Sequence, residues 1–173
     1  MPTIGVSLAV PEPWGSRLQD FRVANGDSQG AAIPTHITLV PPVEVDAGQL
    51  PRIEEHLDEV AARLTSYAVH LRGSGTFRPV SPVVFINLVR GISQTEQLAD
   101  ACRSGPLGLT LSYPYHPHVT VAHHLDDDRL DRAFDEMADF DFEFPVTDFH
   151  LYMHHGDQGW KATHDFVLTG PPG

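Results

Sequence analysis

The chain is poor in several things, and each shortage closes off a class of explanation. It has one cysteine, Cys102, so an intrachain disulfide and a cysteine metal cluster are both excluded. Basic residues are scarce: 11 Lys and Arg stand against 23 Asp and Glu, for a formal charge of −12. Long nucleic-acid footprints depend on many phosphate contacts, so this balance argues against an extended footprint. It leaves room for a nucleotide or an RNA end held in a local pocket. No run approaches the 18 apolar residues of a membrane span. The start, Met1-Pro2-Thr3-Ile4, lacks a basic region followed by an apolar core. A cytoplasmic, membrane-free monomer is the expectation.

What remains is ordinary for a globular domain. The 173 residues are 41% hydrophobic and 20% charged, and fifteen prolines with fourteen glycines imply many turns. One domain over residues 1–170 is expected, with 171–173 as a tail.

The informative feature is a repeat. Pro34-Thr35-His36-Ile37-Thr38-Leu39-Val40 is echoed, nearly half the chain later, by Tyr115-His116-Pro117-His118-Val119-Thr120-Val121-Ala122. Each copy sets His-x-Thr among β-branched and apolar residues, which reads as a strand. In a strand, residues i and i+2 share a face, about 6.5–7 Å apart. His36 and Thr38 therefore share one face, as do His118 and Thr120, while Ile37, Leu39, Val119 and Val121 turn to a core. Two such strands would gather two imidazoles and two hydroxyls around one small cavity.

Around the motifs, Thr3 to Val10 reads as a buried strand stopped by Pro11 and Pro13, and Ser16 to Ala24 as a helix. Pro41-Pro42 is expected to close the first motif strand. Leu50, Ile53, Leu57, Val60, Ala61 and Leu64 recur at helical spacing. Asp46 with Gln49, and Ser93 with Glu96, look like capping boxes. Tyr67–Leu71 and Thr76-Phe77 read as a strand broken by Gly73 and Gly75, and Val83–Val89 as its neighbour. A helix runs from Ser93 towards Gly105. Asp126 caps another, with Asp127 and Asp128 at its positive end. Phe142, Phe144 and Val146 alternate, Phe149 to Met153 continue them, and His154–Gly159 turns into a strand from Trp160 to Leu168. Gly170 onward is expected to fray.

The paired motifs resemble those of the two-histidine (2H) phosphoesterases, the LigT-like group of 2′-5′ RNA ligases and cyclic phosphodiesterases. Gly75-Thr76-Phe77-Arg78-Pro79, Val83-Val84-Phe85-Ile86, Phe149-His150-Leu151-Tyr152 and Trp160 to Leu168 also resemble that family's strands. The resemblance implies an α+β fold with two pseudo-symmetric lobes, each an antiparallel sheet with outer helices, and a cleft between them. It implies a metal-independent phosphodiesterase without a cofactor, hydrolysing the 2′,3′-cyclic phosphate of a nucleotide or RNA end to a 2′-phosphate. The same site run backwards would join RNA ends through a 2′-5′ bond. Other readings are a phosphodiesterase for ADP-ribose cyclic phosphate or 2′-5′ oligoadenylate, and a non-catalytic nucleotide-binding module.

Residue types agree with that chemistry. Histidine is the side chain best suited to proton transfer near neutral pH. His36 and His118 would serve as base and acid, in an order the sequence leaves open. Thr38 and Thr120 would bind phosphoryl oxygens. Phe77 and Tyr115 either stack on a base or pack as core, and Arg78 either reaches a phosphate or lies on the surface. Eleven histidines raise a metal site as the rival, with His116 and His118 at a spacing that could ligate zinc. His123 stands where many relatives carry an arginine, which removes a permanent positive charge near the phosphate.

Overall fold

The computed structural model describes residues 1–172, so Gly173 of the expected tail lies outside the described residues. Eight strands form one curled antiparallel sheet: β1 (Thr3–Ala9), β2 (His36–Glu44), β3 (Tyr67–Thr76), β4 (Val83–Arg90), β5 (His118–His123), β6 (Asp141–Val146), β7 (Asp148–His154) and β8 (Trp160–Val167). Four helices cover it: α1 (Trp14–Ala24), α2 (Leu50–Arg63), α3 (Ile92–Arg103) and α4 (Asp127–Glu136). The strand order is β6-β3-β4-β5-β2-β1-β7-β8. It divides into two four-stranded lobes at the β5–β2 boundary, where one bridge, Ile37 to Val119, holds the halves together. The unit β1-α1-β2-α2 is repeated as β4-α3-β5-α4. Each lobe lends a helix to the other, since α1 packs on β5 and α3 on β2.

The alternation in the motif strands decides which face is core. Ile37, Leu39, Val119 and Val121 are fully buried, with Ile86, Leu151, Leu57 and Leu98 in the same cluster. Each such side chain contributes roughly 1.5–3 kcal/mol by leaving water. The opposite, concave face carries the polar residues of the same strands. Helix α2 buries Ile53, Leu57, Val60 and Ala61, and α4 buries Leu130 and Ala133, as their spacing predicts. Asp126 caps α4, its Oδ1 accepting from the Arg129 N–H at 2.9 Å.

Several local expectations are corrected. β2 does not stop at Pro41-Pro42. It runs on to Glu44, and the two prolines fall in a bulge against β1, between the Ile4–Val43 and Val6–Val40 pairs. A bulge is where a strand tolerates residues that cannot donate. Neither capping box forms. The Asp46 carbonyl, not its side chain, meets Gln49, in a short 3₁₀ turn ahead of α2. α3 starts at Ile92 behind Gly91, whose φ of 86° makes the entry turn and puts Ser93 inside the helix. β3 is unbroken by its glycines: Gly73, at φ 72°, sits in a register shift between Leu71 and Ser74. The stretch from Phe142 to Met153 is two strands in different lobes, β6 on β3 and β7 on β1. At the C-terminal end, the Gly170 N–H donates to Leu64 O at 2.9 Å, docking the chain on the end of α2.

Candidate active site

The Ile37–Val119 bridge fixes the geometry. One residue to either side of it, an antiparallel register sets His36 across from Thr120 and Thr38 across from His118. All four side chains are half-buried on the concave face, while Ile37 and Val119 point into the core. With strands about 5 Å apart and i, i+2 steps of about 7 Å, the two histidine Cα atoms sit on a diagonal of about 8–9 Å. That span admits one phosphate between the rings.

Both imidazoles are held in the same way. His36 Nδ1–H donates to the carbonyl of Pro34 at 2.7 Å. His118 Nδ1–H donates to the carbonyl of His116 at 2.5 Å. Each bond reaches two residues back, each fixes the Nδ1–H tautomer, and each leaves Nε2 for a ligand. Burial lowers the pKa of both rings. For His36 burial outweighs the opposing Pro34 hydrogen bond, and nearby Arg22 adds a smaller push downward. For His118 burial outweighs the His116 hydrogen bond, and His116 and His36 add repulsion, bringing it to about 4. Both shifts favour the neutral imidazole.

Side chains brace the motif strand where β5 diverges from it. Tyr115 Oη donates to the Thr38 carbonyl at 2.5 Å, and Arg103 Nη1 donates to the Leu39 carbonyl at 3.3 Å. The Arg103 guanidinium lies over the Tyr115 ring, 4.9 Å from its centroid. Tyr115 is therefore placed behind the motif with its hydroxyl and one ring face occupied, and its burial pushes the phenol up. Phe77 lies beside the site. Its ring centroid is 5.1 Å from His118, 5.3 Å from His116 and 4.5 Å from Phe85. Arg78 is turned away, ion-paired to Asp131 at 2.8 Å and near Asp127 at 3.8 Å.

Several neighbours escaped the reading of the sequence. Ser7 pairs with Thr38, and Asn87 pairs with His118. Each is a polar residue set inside an apolar run, Gly5-Val6-Ser7-Leu8-Ala9 and Val83-Val84-Phe85-Ile86-Asn87-Leu88, and that oddity was the available signal. Tyr152 and Trp160 join Gly5, Pro42, His36 and Thr38 around a half-open cavity of about 70 Å³. No local pattern marks them. Arg22 and Asp27 form a buried ion pair at 2.8 Å. Both act on His123, whose pKa is lowered by burial first and then by the His124 ring stacked on it at 3.7 Å. Among the described residues no three His, Cys, Asp or Glu side chains converge as metal ligands, and no helix is long and apolar enough to cross a membrane.

Comparison with known proteins agrees with this geometry. Residues 10–158 match the family model described as the 2′-5′ RNA ligase superfamily. A candidate phosphoesterase of Bacillus cereus is 31% identical over 146 residues, 82% of this chain and 83% of that protein. A second, from Bacillus licheniformis, is 30% identical over 159 residues, 88% and 92% of the two chains. In fold, the chain is similar to E. coli LigT solved with NADP+, with a TM-score of 0.73 at 21% identity over 98% of this chain and 99% of that one. A Thermus thermophilus protein gives 0.71 at 20% identity, with the same shares covered. Two histidine-threonine strands meeting at one bridge are thus carried on a LigT-like fold, and the chain belongs to the 2′-5′ RNA ligase superfamily of 2H phosphoesterases.

Proposed function

We propose that this phosphoesterase hydrolyses the 2′,3′-cyclic phosphate of a nucleotide or RNA end to a 2′-phosphate, with His36 and His118 as its acid–base pair. The observation that carries the reading is the matched pair of Nδ1–H bonds to carbonyls two residues back. They leave the Nε2 atoms of both rings, in the same tautomer, available to one ligand. One Nε2 takes a proton from water as its oxygen attacks phosphorus. The other, carrying a proton, gives it to the 3′ oxygen as the P–O3′ bond breaks. One water is consumed, and the proton count balances between the two rings. The Thr38 and Thr120 hydroxyls donate to the non-bridging oxygens and hold phosphorus in line.

The lowered pKa values fit a site that is armed by its substrate. A phosphate anion between the rings favours the charged form of the acid, so protonation and binding arrive together. Phe77, beside His118, gives the substrate an apolar wall. The acidic chain and the few cations near the motifs favour a small ligand over a long RNA. E. coli LigT has been solved with 3′-AMP, which makes a mononucleotide a fitting first ligand to test.

Phosphorus NMR of the purified protein with the four nucleoside 2′,3′-cyclic phosphates tests the reading. The cyclic resonance should give way to that of the 2′-phosphate. Four unchanged spectra at high enzyme concentration would refute it.

A further inference from the structure

The two sides of the cleft share a backbone plan and differ in what they leave open. On the β5 side, Phe85 stands beside Thr120 and Asn87 beside His118, and Phe77 closes over both Phe85 and His118. On the β2 side, the matching neighbours are small. Ser7 stands beside Thr38 and Ala9 beside His36, and Gly5 continues the same face. Where the first side is filled with aromatic rings, the second holds the cavity of about 70 Å³.

Trp160 makes one wall of that cavity, and the fold takes trouble to put it there. Its backbone N–H donates to the Ala32 carbonyl at 3.0 Å. Gly159, at φ 74°, lets the chain come that close, since a Cβ there would stand 2.6 Å from the same oxygen. The indole edge hangs over Gly5, where an added Cβ would meet Cζ3 at 3.7 Å. Tyr152, register partner of Gly5, and Pro42 supply the other walls. The cavity is lined by no Asp, Glu, Lys or Arg, and His36 and Thr38 belong to its wall.

We propose that this slot between Trp160, Tyr152 and Pro42 is a nucleobase subsite, taking the base of the nucleoside whose phosphate lies between His36 and His118. The proposal rests on the reaction proposed above for its choice of ligand. A base offers the flat π-face that such walls accept. Its polar edge meets the hydroxyls of Ser7 and Tyr152. Burial, then the carboxylates of Asp165 and Asp148, raise the Tyr152 phenol, so it remains a donor through the neutral range. The rings around Phe77 are packed on one another, whereas Trp160, 5.1 Å from the His154 ring, also lines the cavity.

The test is calorimetric titration of the full chain with adenosine 2′-monophosphate and with 1-O-methylribose 2-phosphate, which lacks the base. The parent should prefer the nucleotide by about tenfold or more, since stacking of one base is worth about 1–3 kcal/mol. Trp160→Ala should erase most of that preference. Gly5→Val should do the same by filling the floor of the slot, and its first added carbon meets only ordinary contacts at 3.5 and 3.7 Å. Circular dichroism checks that both variants fold. Equal affinities in the parent, no binding of either ligand, or an intact preference in folded Trp160→Ala would overturn the subsite. A base preference without turnover of any cyclic phosphate would sink the reaction and leave the subsite standing. Turnover without a base preference would do the reverse.

Discussion

Lowering the pH should destabilise this protein through its own candidate active site, and His118 is the clearest lever. The unfolded ring titrates near 6.5, and the folded one is depressed to about 4 by burial. The fold accommodates the neutral ring, so proton uptake favours the unfolded chain. The stabilisation is complete above pH 6.5 and is lost as the pH falls toward 4. Between pH 7 and pH 5 this one ring removes about 2 kcal/mol by linkage, and nearer 1 kcal/mol with its edge open to solvent. Burial lowers His36 as well, so the parent must be compared with His118→Asn, which does not titrate and keeps an N–H near the Nδ1 position. Urea unfolding of both proteins at pH 7 and pH 5 gives the difference. The parent should lose about 1–2 kcal/mol more than the variant. Equal losses would show that burial does not hold the His118 pKa down. Inorganic phosphate should shrink the gap, because an anion beside the ring favours its protonated form.

Other consequences can be checked with the same material. His36→Ala or His118→Ala should lower turnover of a 2′,3′-cyclic nucleotide by about 10²–10⁴, and the double variant by much less than the product of the two. Thr38→Ala and Thr120→Ala should cost less than either histidine change in the same steady-state assay, since each removes one donor and no proton transfer. Hydrolysis should survive dialysis against a strong chelator, and loss with recovery on adding zinc or manganese would show metal chemistry instead. Tyr115→Phe removes the bond to the Thr38 carbonyl and should cost about 1 kcal/mol in denaturant unfolding. It should also cost some turnover, because Thr38 loses its support. Unchanged stability would mean that the brace is idle.

The motif strands, the amphipathic helices and the Asp126 cap were legible because each is a local pattern, in which period and punctuation suffice. Sheet order was not legible. Nothing in Phe142 to Met153 says that the chain leaves one lobe for the other at Thr147, since both strands alternate alike. Pro41-Pro42 misled for a related reason: whether a proline ends a strand depends on what faces it, and here a bulge does. Tyr115 stayed open between a stacking ring and a core residue because its partner, the Thr38 carbonyl, lies far away in sequence. Trp160 carried no sign of its place beside His36, because that place is set by a hairpin docking on Ala32. The candidate residues stood out through their repetition, whereas what surrounds them depends on tertiary contact.

The single Ile37–Val119 bridge makes the molecule a calliper. Each jaw is a plate of four strands cross-tied along its length, and the histidines are mounted one on each jaw, directly over the joint. A small rotation about that joint changes the gap between the two rings and leaves untouched each ring's bond to the carbonyl two residues ahead of it, just outside its strand. α1 and α3, each packed from one jaw onto the other, are further ties across the joint. The gap therefore depends on how the two lobes lean on one another. Substitutions in the helices, far from the phosphate, have a mechanical route to the chemistry.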